Sequence, residues 1–184
     1  MDTFPTRLRA CRQIKMLRPS GMHQTGLLRQ LQLPVHPDLP AEARVYLREK
    51  PGRTGDIQAE LAEIDGQGVA HVLCLLTENE LNTANSYRDA LRSGHISAQF
   101  HHCPLRTSCR IEDKPRLMNH LRDMAAALQS GESVLIHCEL GQVRTGCAAT
   151  LLLTLFGVDL DEALATVRMA GSDPEVFDPA PMLR

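Results

Sequence analysis

The chain has 184 residues, 43% of them hydrophobic, which is enough for one domain with a sizeable core and an extension. Only 3% of the residues are aromatic and none is Trp, so the core is predicted to consist mostly of Leu, Val, Ala and Met. The formal net charge of −2 gives no electrostatic argument for binding nucleic acid or an acidic membrane surface.

Membrane and secretion signals are also missing from the sequence. No segment approaches the roughly 18 uninterrupted apolar residues that a membrane span requires, and the first residues lack the continuous apolar stretch of a signal peptide. The six Cys have neither the spacing of a disulfide framework nor a Cys-x-x-Cys pair. We therefore expect a protein of the reducing cytoplasm, where a Cys can remain a free thiol.

Residues 1–40 form a basic, Pro-containing N-terminal segment, which we separate from a domain at residues 41–184. Its basic residues and prolines are Arg7, Arg9, Arg12, Lys15, Arg18, Arg29, Pro5, Pro19, Pro34, Pro37 and Pro40. Weak helix is expected at residues 25–31. The segment is interpreted either as a solvated arm or strap packed on the domain, or as a recognition element for an acidic phosphorylated substrate.

Hydrophobic periodicity predicts alternating strands and helices after residue 41. The first strand is expected at residues 43–47, followed by a helix that starts after Thr54 or Asp56 and ends at Gly66 or Gly68. Residues 69–76 are almost continuously apolar, which is typical of a central parallel strand. A helical stretch ending at Gly94 and a third strand at residues 96–105 come next.

The second half of the chain repeats this alternation. An amphipathic helix is predicted at residues 114–130, a strand at residues 133–138 and a buried helix at residues 147–156. A last helix follows a cap at Asp159 or Asp161. The pattern predicts an α/β fold with a central, mainly parallel sheet flanked by helices, and such sheets bind ligands at the carboxyl ends of their strands.

The connection between the strand ending at Cys138 and the helix after it carries the chemistry. A strand–loop–helix junction aims backbone N–H groups and the positive end of the helix dipole at one point, which favours an anion. Free Cys has a pKa of roughly 8.5, and a helix N-terminus or a nearby cation can lower it and so provide a nucleophile. Arg144 can bind two oxygens of a phosphate, and Gly141 permits a close approach or a positive φ.

Other residues in and beside this loop also have expected roles. Thr145 can donate its hydroxyl to the Cys138 sulfur, and His137 can brace the loop through a ring hydrogen bond. The carboxylate of Glu139 would oppose a bound dianion and is expected to point outward. The loop is expected to hold phosphate through backbone N–H groups and the Arg144 side chain, with the residues Glu139, Leu140, Gly141, Gln142, Val143 and Arg144.

This stretch resembles the His-Cys-x5-Arg-(Ser/Thr)-Gly signature of the cysteine-dependent tyrosine and dual-specificity phosphatases. The matching residues are His137, Cys138, Gly141, Arg144, Thr145 and Gly146, whereas Val143 stands where the family often has Gly. Over residues 44–170, weaker matches resemble the kinase-associated, cyclin-dependent-kinase-inhibitor type of dual-specificity phosphatase and its bacterial relatives. The resemblance implies a phosphatase-like catalytic domain at residues 41–184 that needs no cofactor and no metal.

The general acid is where the chain departs from this family. The resemblance implies an Asp a few residues after Pro104, and the corresponding position is Thr107, which cannot donate a proton near neutral pH. Such an acid is worth roughly 10²–10⁴-fold in rate. Four carboxylates are alternatives, namely Glu112, Asp113, Glu78 and Glu80. Asp113 also stands where a helix N-cap is expected, before Lys114-Pro115.

Two other groups of residues invite hypotheses. Cys74 ends a central strand, and the resemblance implies a reversible disulfide with Cys138, the alternative being a buried small side chain. Arg106 and Arg110 would flank the phosphate site, either to attract a second phosphate or as solvated side chains. A zinc site is not expected among His101, His102, Cys103 and Cys109, because adjacent strand residues point to opposite faces.

The sequence therefore predicts a phosphate monoester hydrolase that acts on phosphotyrosine and/or phosphoserine or phosphothreonine of proteins through a phosphocysteine intermediate. The expected partner is a phosphoprotein substrate, with no nucleic acid and no membrane. The alternative is a phosphate-recognising module of low or no activity, because position 107 is Thr. An arsenate reductase or sulfurtransferase is a weaker alternative.

Overall fold

The computed structural model describes residues 28–106 and 113–174. Its sheet has five strands, β1 (Arg29–Leu31), β2 (Val45–Glu49), β3 (Val69–Cys74), β4 (Gln99–His102) and β5 (Ser133–Cys138). Their order is β1-β2-β5-β3-β4, and every pairing is parallel except β1 with β2. The predicted α/β class with a mainly parallel central sheet is confirmed.

Helices cover both faces of this sheet. They are α1 (Ile57–Gly66), α2 (Glu78–Thr83), α3 (Asn85–Arg92), α4 (Lys114–Gln129), α5 (Val143–Leu155) and α6 (Leu160–Met169). Helices α4, α5 and α6 bury apolar side chains against one face, and α1 and α3 against the other. In the described ranges, every helix is too short or too polar to cross a membrane.

Strand β5 occupies the centre of the sheet and places the Cys138 loop. All six of its residues are buried, because parallel neighbours flank it on both sides and helices cover both faces. Ile136, for example, pairs with Leu47 of β2 and with Leu73 of β3. Cys138 therefore lies at the carboxyl edge of the sheet, where the fold predicts a ligand site.

The weak helix expected at residues 25–31 is wrong for its described part. Arg29, Gln30 and Leu31 form strand β1, antiparallel to residues 45–47 of β2. Leu31 is almost fully buried in the core, so pairing and burial outweigh local helix propensity here. The sheet thus begins inside the basic segment, and the domain boundary at residue 41 stays a prediction.

Several element boundaries also differ from the predicted ones. The first domain strand runs over residues 45–49 rather than 43–47, and β4 spans only four residues. The single helix expected up to Gly94 is two helices, because the backbone leaves helical geometry at Ala84 (φ −85°, ψ 63°). Helix α5 begins four residues earlier than predicted, at Val143, which puts Arg144 in its first turn.

Candidate active site

The loop between β5 and α5 turns on Gly141. This residue has φ +64°, and a Cβ atom there would lie 2.5 Å from the Arg48 carbonyl carbon and oxygen. Any side chain would therefore be both strained and in contact with the backbone of β2. The expected need for glycine at this position is confirmed, and it brings the loop against the end of the neighbouring strand.

The N-terminus of α5 points into this loop. Among the described residues, no side chain caps its first turn, and the N-cap residue Gln142 donates its amide to the Gly171 carbonyl at 3.1 Å instead. The first N–H groups of a helix lack intrahelical partners and carry the positive end of the dipole. The junction can therefore bind an oxyanion through its backbone.

Cys138 and Arg144 lie at the two ends of the loop, one closing the strand and the other opening the helix. Cys138 is 2% exposed and Arg144 is 5% exposed. Nη1 of Arg144 donates to the carbonyl oxygens of Leu75 at 3.2 Å and Leu105 at 3.1 Å. These carbonyls follow β3 and β4, so the ends of both strands hold the guanidinium in place.

Glu80 is a site residue whose role the sequence reasoning did not identify. Its carboxylate accepts two hydrogen bonds from Arg144, at 2.6 Å from Nη1 and 2.8 Å from Nη2. Glu80 also closes the capping box of α2 by accepting from the Thr77 N–H at 2.7 Å. The capping-box pattern Thr-x-x-Glu was visible in the sequence, but it signals only a helix start.

The charge state of Glu80 removes it as a candidate general acid. Burial by itself would raise the pKa of this carboxyl, but hydrogen bonds from Arg144 and Thr77 outweigh that effect and hold the pKa at about 2. A group with such a pKa carries no proton near neutral pH. Glu80 therefore acts as an anchor for Arg144, and the alternative proton donor suggested for it is wrong.

His137 is fully buried at the end of β5, and its expected role as a brace of the loop stays a prediction. Its Nε2 lies 2.8 Å from the Tyr87 hydroxyl. Burial is the largest effect and lowers the pKa of His137 to about 3, with Arg48 and Arg144 acting in the same direction, and burial raises the pKa of Tyr87 well above 10. Both groups are therefore neutral, and one hydrogen bond joins the phenol oxygen to Nε2 of the imidazole.

The structure gives the surroundings of Thr145 and Glu139. The Thr145 hydroxyl is buried and makes no hydrogen bond to any described residue, so its bond to the Cys138 sulfur stays a prediction. The Glu139 carboxylate lies 3.0 Å from Lys50 Nζ and 3.9 Å from Arg53 Nε. The basic β2–α1 loop pairs with this carboxylate, and its expected outward direction stays a prediction.

The back of the loop is held by residues from both ends of the described chain. The Gly141 carbonyl accepts hydrogen bonds from Arg29 Nη2 and from the buried Ser172 hydroxyl, both at 2.7 Å. Arg29 also donates to the carbonyls of Ala170 and Gly171. Burial lowers the pKa of Arg29, whereas the nearby Cys138 and Glu49 act to raise it. The basic segment thus contributes one side chain to this site.

The described residues do not identify the general acid. Thr107 and Glu112, together with Cys109 and Arg110, lie outside the described residues. Asp113 starts α4 and bonds to Arg116 at 3.0 Å, without capping the helix through its side chain. It opens into a cavity of about 400 Å³ lined by Thr77, Glu78, Asn79, Pro104, Arg106, Asp113 and Arg116. Its role as an acid stays a prediction.

Cys74 is buried at the end of β3, beside His137 in the register of the sheet. Burial raises the pKa of its thiol to about 12, against a smaller opposing effect of Arg144. The described residues contain four free thiols, at Cys74, Cys103, Cys138 and Cys147. A Cys74–Cys138 disulfide stays a prediction, and the high pKa would make Cys74 a slow partner in forming it.

A comparison with protein families finds one matching model over most of the chain. It is described as "PTP-SAK: Swiss Army Knife protein, DSP-PTPase phosphatase domain" and matches residues 43–177. The match begins just before β2 and includes the whole Cys138 loop. No curated protein matches the chain.

Solved structures share the fold at low sequence identity. Kinase associated phosphatase (KAP), with serine in place of its catalytic cysteine, has a TM-score of 0.61 at 14% identity, over 84% of this chain and 90% of that one. TpbA of P. aeruginosa in complex with pTyr gives 0.55 at 18%, over 84% and 86%. Human DUSP28 gives 0.54 at 17%, over 82% and 90%. At these identities, the likeness is evidence for the fold alone.

Proposed function

The chain belongs to the DSP-PTPase family, the protein-tyrosine and dual-specificity phosphatases, and we propose that it hydrolyses phosphate monoesters on tyrosine, serine or threonine of proteins through Cys138. One observation carries this proposal: Cys138 ends the central strand at the loop that leads into the uncapped N-terminus of α5, with Arg144 in the first helical turn. A nucleophile thus lies beside a site for the three non-bridging oxygens of a phosphoryl group.

The reaction takes place in two displacements at phosphorus. The Cys138 thiolate forms a bond to phosphorus while the bond from phosphorus to the substrate oxygen breaks, and the leaving oxygen takes a proton from an acid. Water then attacks the phosphocysteine, forms a new P–O bond and releases inorganic phosphate and the thiolate. The same acid, now a base, accepts a proton from this water.

Binding of the phosphoryl group relies on the loop rather than on a cofactor. Backbone N–H groups of residues 139–144 and the Arg144 guanidinium are proposed to hold the oxygens, and the buried Thr145 hydroxyl to donate to the sulfur. The ion pair with Glu80 supports this role for Arg144, because a guanidinium fixed by a carboxylate and two carbonyls loses little freedom when phosphate binds.

The proton donor is proposed to be Glu112 or Asp113. The environments of the other two candidate carboxylates support this choice. Glu80 is ionised at all working pH values, and the side chain of Glu78 is 71% exposed and lies beside His102. Asp113 starts the helix that follows the Pro104 segment, and it lines a cavity together with Pro104 and Arg106. Cytoplasmic location is part of the proposal, supported by the free thiol that the reaction needs.

The test is hydrolysis of p-nitrophenyl phosphate across pH in metal-free buffer with a reductant. The expected result is turnover by the native chain, loss of turnover in Cys138→Ser, and retention in the matched control Cys103→Ser, which changes another buried thiol. A rate that falls at alkaline pH in the native chain but not in Glu112→Gln or Asp113→Asn would identify the acid.

Two results would overturn the proposal. Absence of turnover in the reduced native chain with retained binding of vanadate would leave the phosphate-recognising module, which the family match does not favour. Equal turnover in Cys138→Ser would show that another group performs the chemistry. A panel of phosphotyrosine, phosphoserine and phosphothreonine peptides then distinguishes tyrosine-only from dual specificity.

A further inference from the structure

A cluster of imidazoles lies on the sheet face that α4 covers, away from the Cys138 loop. His71 is on β3 and His101 is on β4, where it pairs with Leu73, so both side chains share the face of Leu73. His71 pairs with Val134, four residues before Cys138 on β5, which places His71 roughly 13 Å down the sheet at about 3.3 Å per residue. His101 lies on the edge strand β4, with β3 between it and β5.

Helix α4 adds two more potential ligands to this face. His120 and Asp123 are three residues apart, a spacing that puts both on one side of a helix. One donor atom each of His101, His120 and Asp123 lie within 4.8 Å of one another. Nδ1 of His120 is buried and has no hydrogen-bond partner among the described residues, which is costly for a ring nitrogen unless something binds it.

A chain of hydrogen bonds determines which nitrogen of His101 carries a lone pair. Glu132 lies 3.0 Å from His71 Nε2, and a carboxylate can only accept, so His71 carries its proton on Nε2. The bare Nδ1 of His71 then accepts from His101 Nε2, which lies at 3.1 Å. The proton of His101 is therefore on Nε2, and its Nδ1 presents a lone pair.

We propose that His101, His120 and Asp123 bind a divalent transition-metal ion of the zinc class, with His71 and Glu132 as the hydrogen-bonded groups that orient His101. Two imidazoles and a carboxylate are ligands that zinc takes in proteins, with solvent in a fourth position. A carboxylate bonded to a histidine that in turn supports a ligand is a common arrangement of the outer shell.

The location of the cluster indicates what a bound ion would do. The ion would join the edge strand β4 to α4 and would stabilise the fold at a place separate from catalysis. The neighbouring His102 is on the opposite face, bonded to the Leu76 carbonyl at 2.8 Å and stacked on Phe100.

The test is zinc binding by calorimetry on the untagged chain carrying Cys138→Ser, so that the nucleophile cannot take the metal. The Cys138→Ser parent is expected to bind one equivalent of zinc. Adding His120→Gln or Asp123→Asn to this parent should abolish that binding. His71→Gln is expected to weaken zinc binding by about 10–100-fold, and the control His102→Gln to leave it unchanged. Thermal unfolding in EDTA verifies that each variant is folded.

Thermal stability gives a second measurement of zinc binding, and two results would overturn the proposal. Zinc at about 100 times its Kd should raise the Tm of the parent chain by roughly 5–10 °C and should leave the Tm of Asp123→Asn unchanged. Equal zinc affinity in the parent and in both His120→Gln and Asp123→Asn would overturn the proposal, as would the absence of binding by the parent. Neither readout depends on phosphatase turnover.

Discussion

The Cys138 loop and the histidine cluster present opposite chemistry on one sheet. At the carboxyl edge, the loop offers backbone N–H groups, the dipole of α5 and the Arg144 guanidinium, all of which are donors. On the face under α4, the cluster offers imidazole lone pairs and the carboxylate of Asp123, all of which are acceptors. The first arrangement suits an oxyanion and the second a cation.

The comparison also shows how each arrangement is held in place. Charged side chains in the loop region are paired by carboxylates or carbonyls, as Arg144 is by Glu80 and Arg29 is by the Gly141 carbonyl. In the cluster, Glu132 reaches only His71, and the buried Nδ1 of His120 stays unpartnered among the residues that the structure describes. Unpartnered buried atoms occur near the loop as well, at the Thr145 hydroxyl and at Nδ1 of His137, so both arrangements contain groups that the described residues leave unsatisfied.

Gly141→Ala should have the largest effect on the loop. The new Cβ would lie 2.5 Å from the Arg48 backbone at φ +64°, so the loop must move and kcat/KM should fall at least about 100-fold. The matched control is Gly157→Ala, where φ is +75° but no described atom lies within 4 Å of the new Cβ. The control should lose about 1–3 kcal/mol of unfolding free energy and keep its activity.

Equal activity loss in the two glycine variants would contradict the role of close backbone approach. In that case, strain at positive φ alone would account for the effect. Unfolding in urea and initial rates with p-nitrophenyl phosphate provide the two measurements.

Glu80→Gln should come next, because it releases Arg144 from its bidentate partner. We expect kcat/KM to fall about 10–100-fold, because the Arg144 guanidinium would be displaced by up to about 1 Å from its position beside the phosphoryl group. Glu78→Gln, a change of an exposed carboxylate on the same helix turn, is the control and should be near neutral. A Glu80→Gln enzyme with native kcat/KM would show that the pair does not position Arg144.

The Glu80→Gln variant also tests how the stability of the fold depends on pH. The folded pKa of Glu80, at about 2, lies below its ordinary value of 4.5, so the ion pair stabilises the fold above about pH 4.5 and loses this effect as pH falls towards 2. After discounting for solvent screening, we expect about 1 kcal/mol. The stability difference between the native chain and Glu80→Gln should therefore be constant at pH 5–8 and shrink at pH 3.

Arg29→Met should have a smaller effect on turnover. It removes the bonds to the carbonyls of Ala170 and Gly171 and one of the two donors to the Gly141 carbonyl, and it leaves the Ser172 hydroxyl in place. Only the Gly141 bond holds the loop directly, so kcat/KM should fall about tenfold. Arg44→Met is the control, because Arg44 donates only to nearby carbonyls of its own segment. Native activity in Arg29→Met would exclude a role of β1 at the site.

Tyr87→Phe should have the smallest effect of the four. The change leaves His137 Nε2 buried without its 2.8 Å partner, and we expect a loss of about 1–3 kcal/mol in unfolding free energy with only a few-fold loss of turnover. Tyr46→Phe, which removes a bond to Gln67 at 3.2 Å, is the matched control and should cost less. A larger loss of turnover than in Arg29→Met would contradict this order.

Much of the candidate site could be predicted because its parts are close in the chain. Cys138, Gly141 and Arg144 lie within seven residues between a buried strand and a buried helix, and local patterns determine both elements. Strand–helix alternation likewise predicted the sheet. The boundaries were less predictable: β1 formed where helix was expected, because its pairing partner lies in β2, about 16 residues further on.

The residues that sequence reasoning missed are distant in the chain and near in space. Glu80 meets Arg144 across 64 positions, and Arg29 meets Gly141 across 112. His101 and His102 lie on opposite faces of β4, as the alternation of strand residues predicts. His120 reaches His101 only because α4 packs on that face.

The sequence by itself determined the alternation of strands and helices, the strand–loop–helix junction at Cys138 and the glycine on which it turns, because each depends on neighbours within a few residues. Only the tertiary structure decided which carboxylate holds Arg144, which arginine supports the loop from behind and which imidazoles meet under α4. Those contacts depend on sheet order and on helix packing, and spacing along the chain contains no information on either.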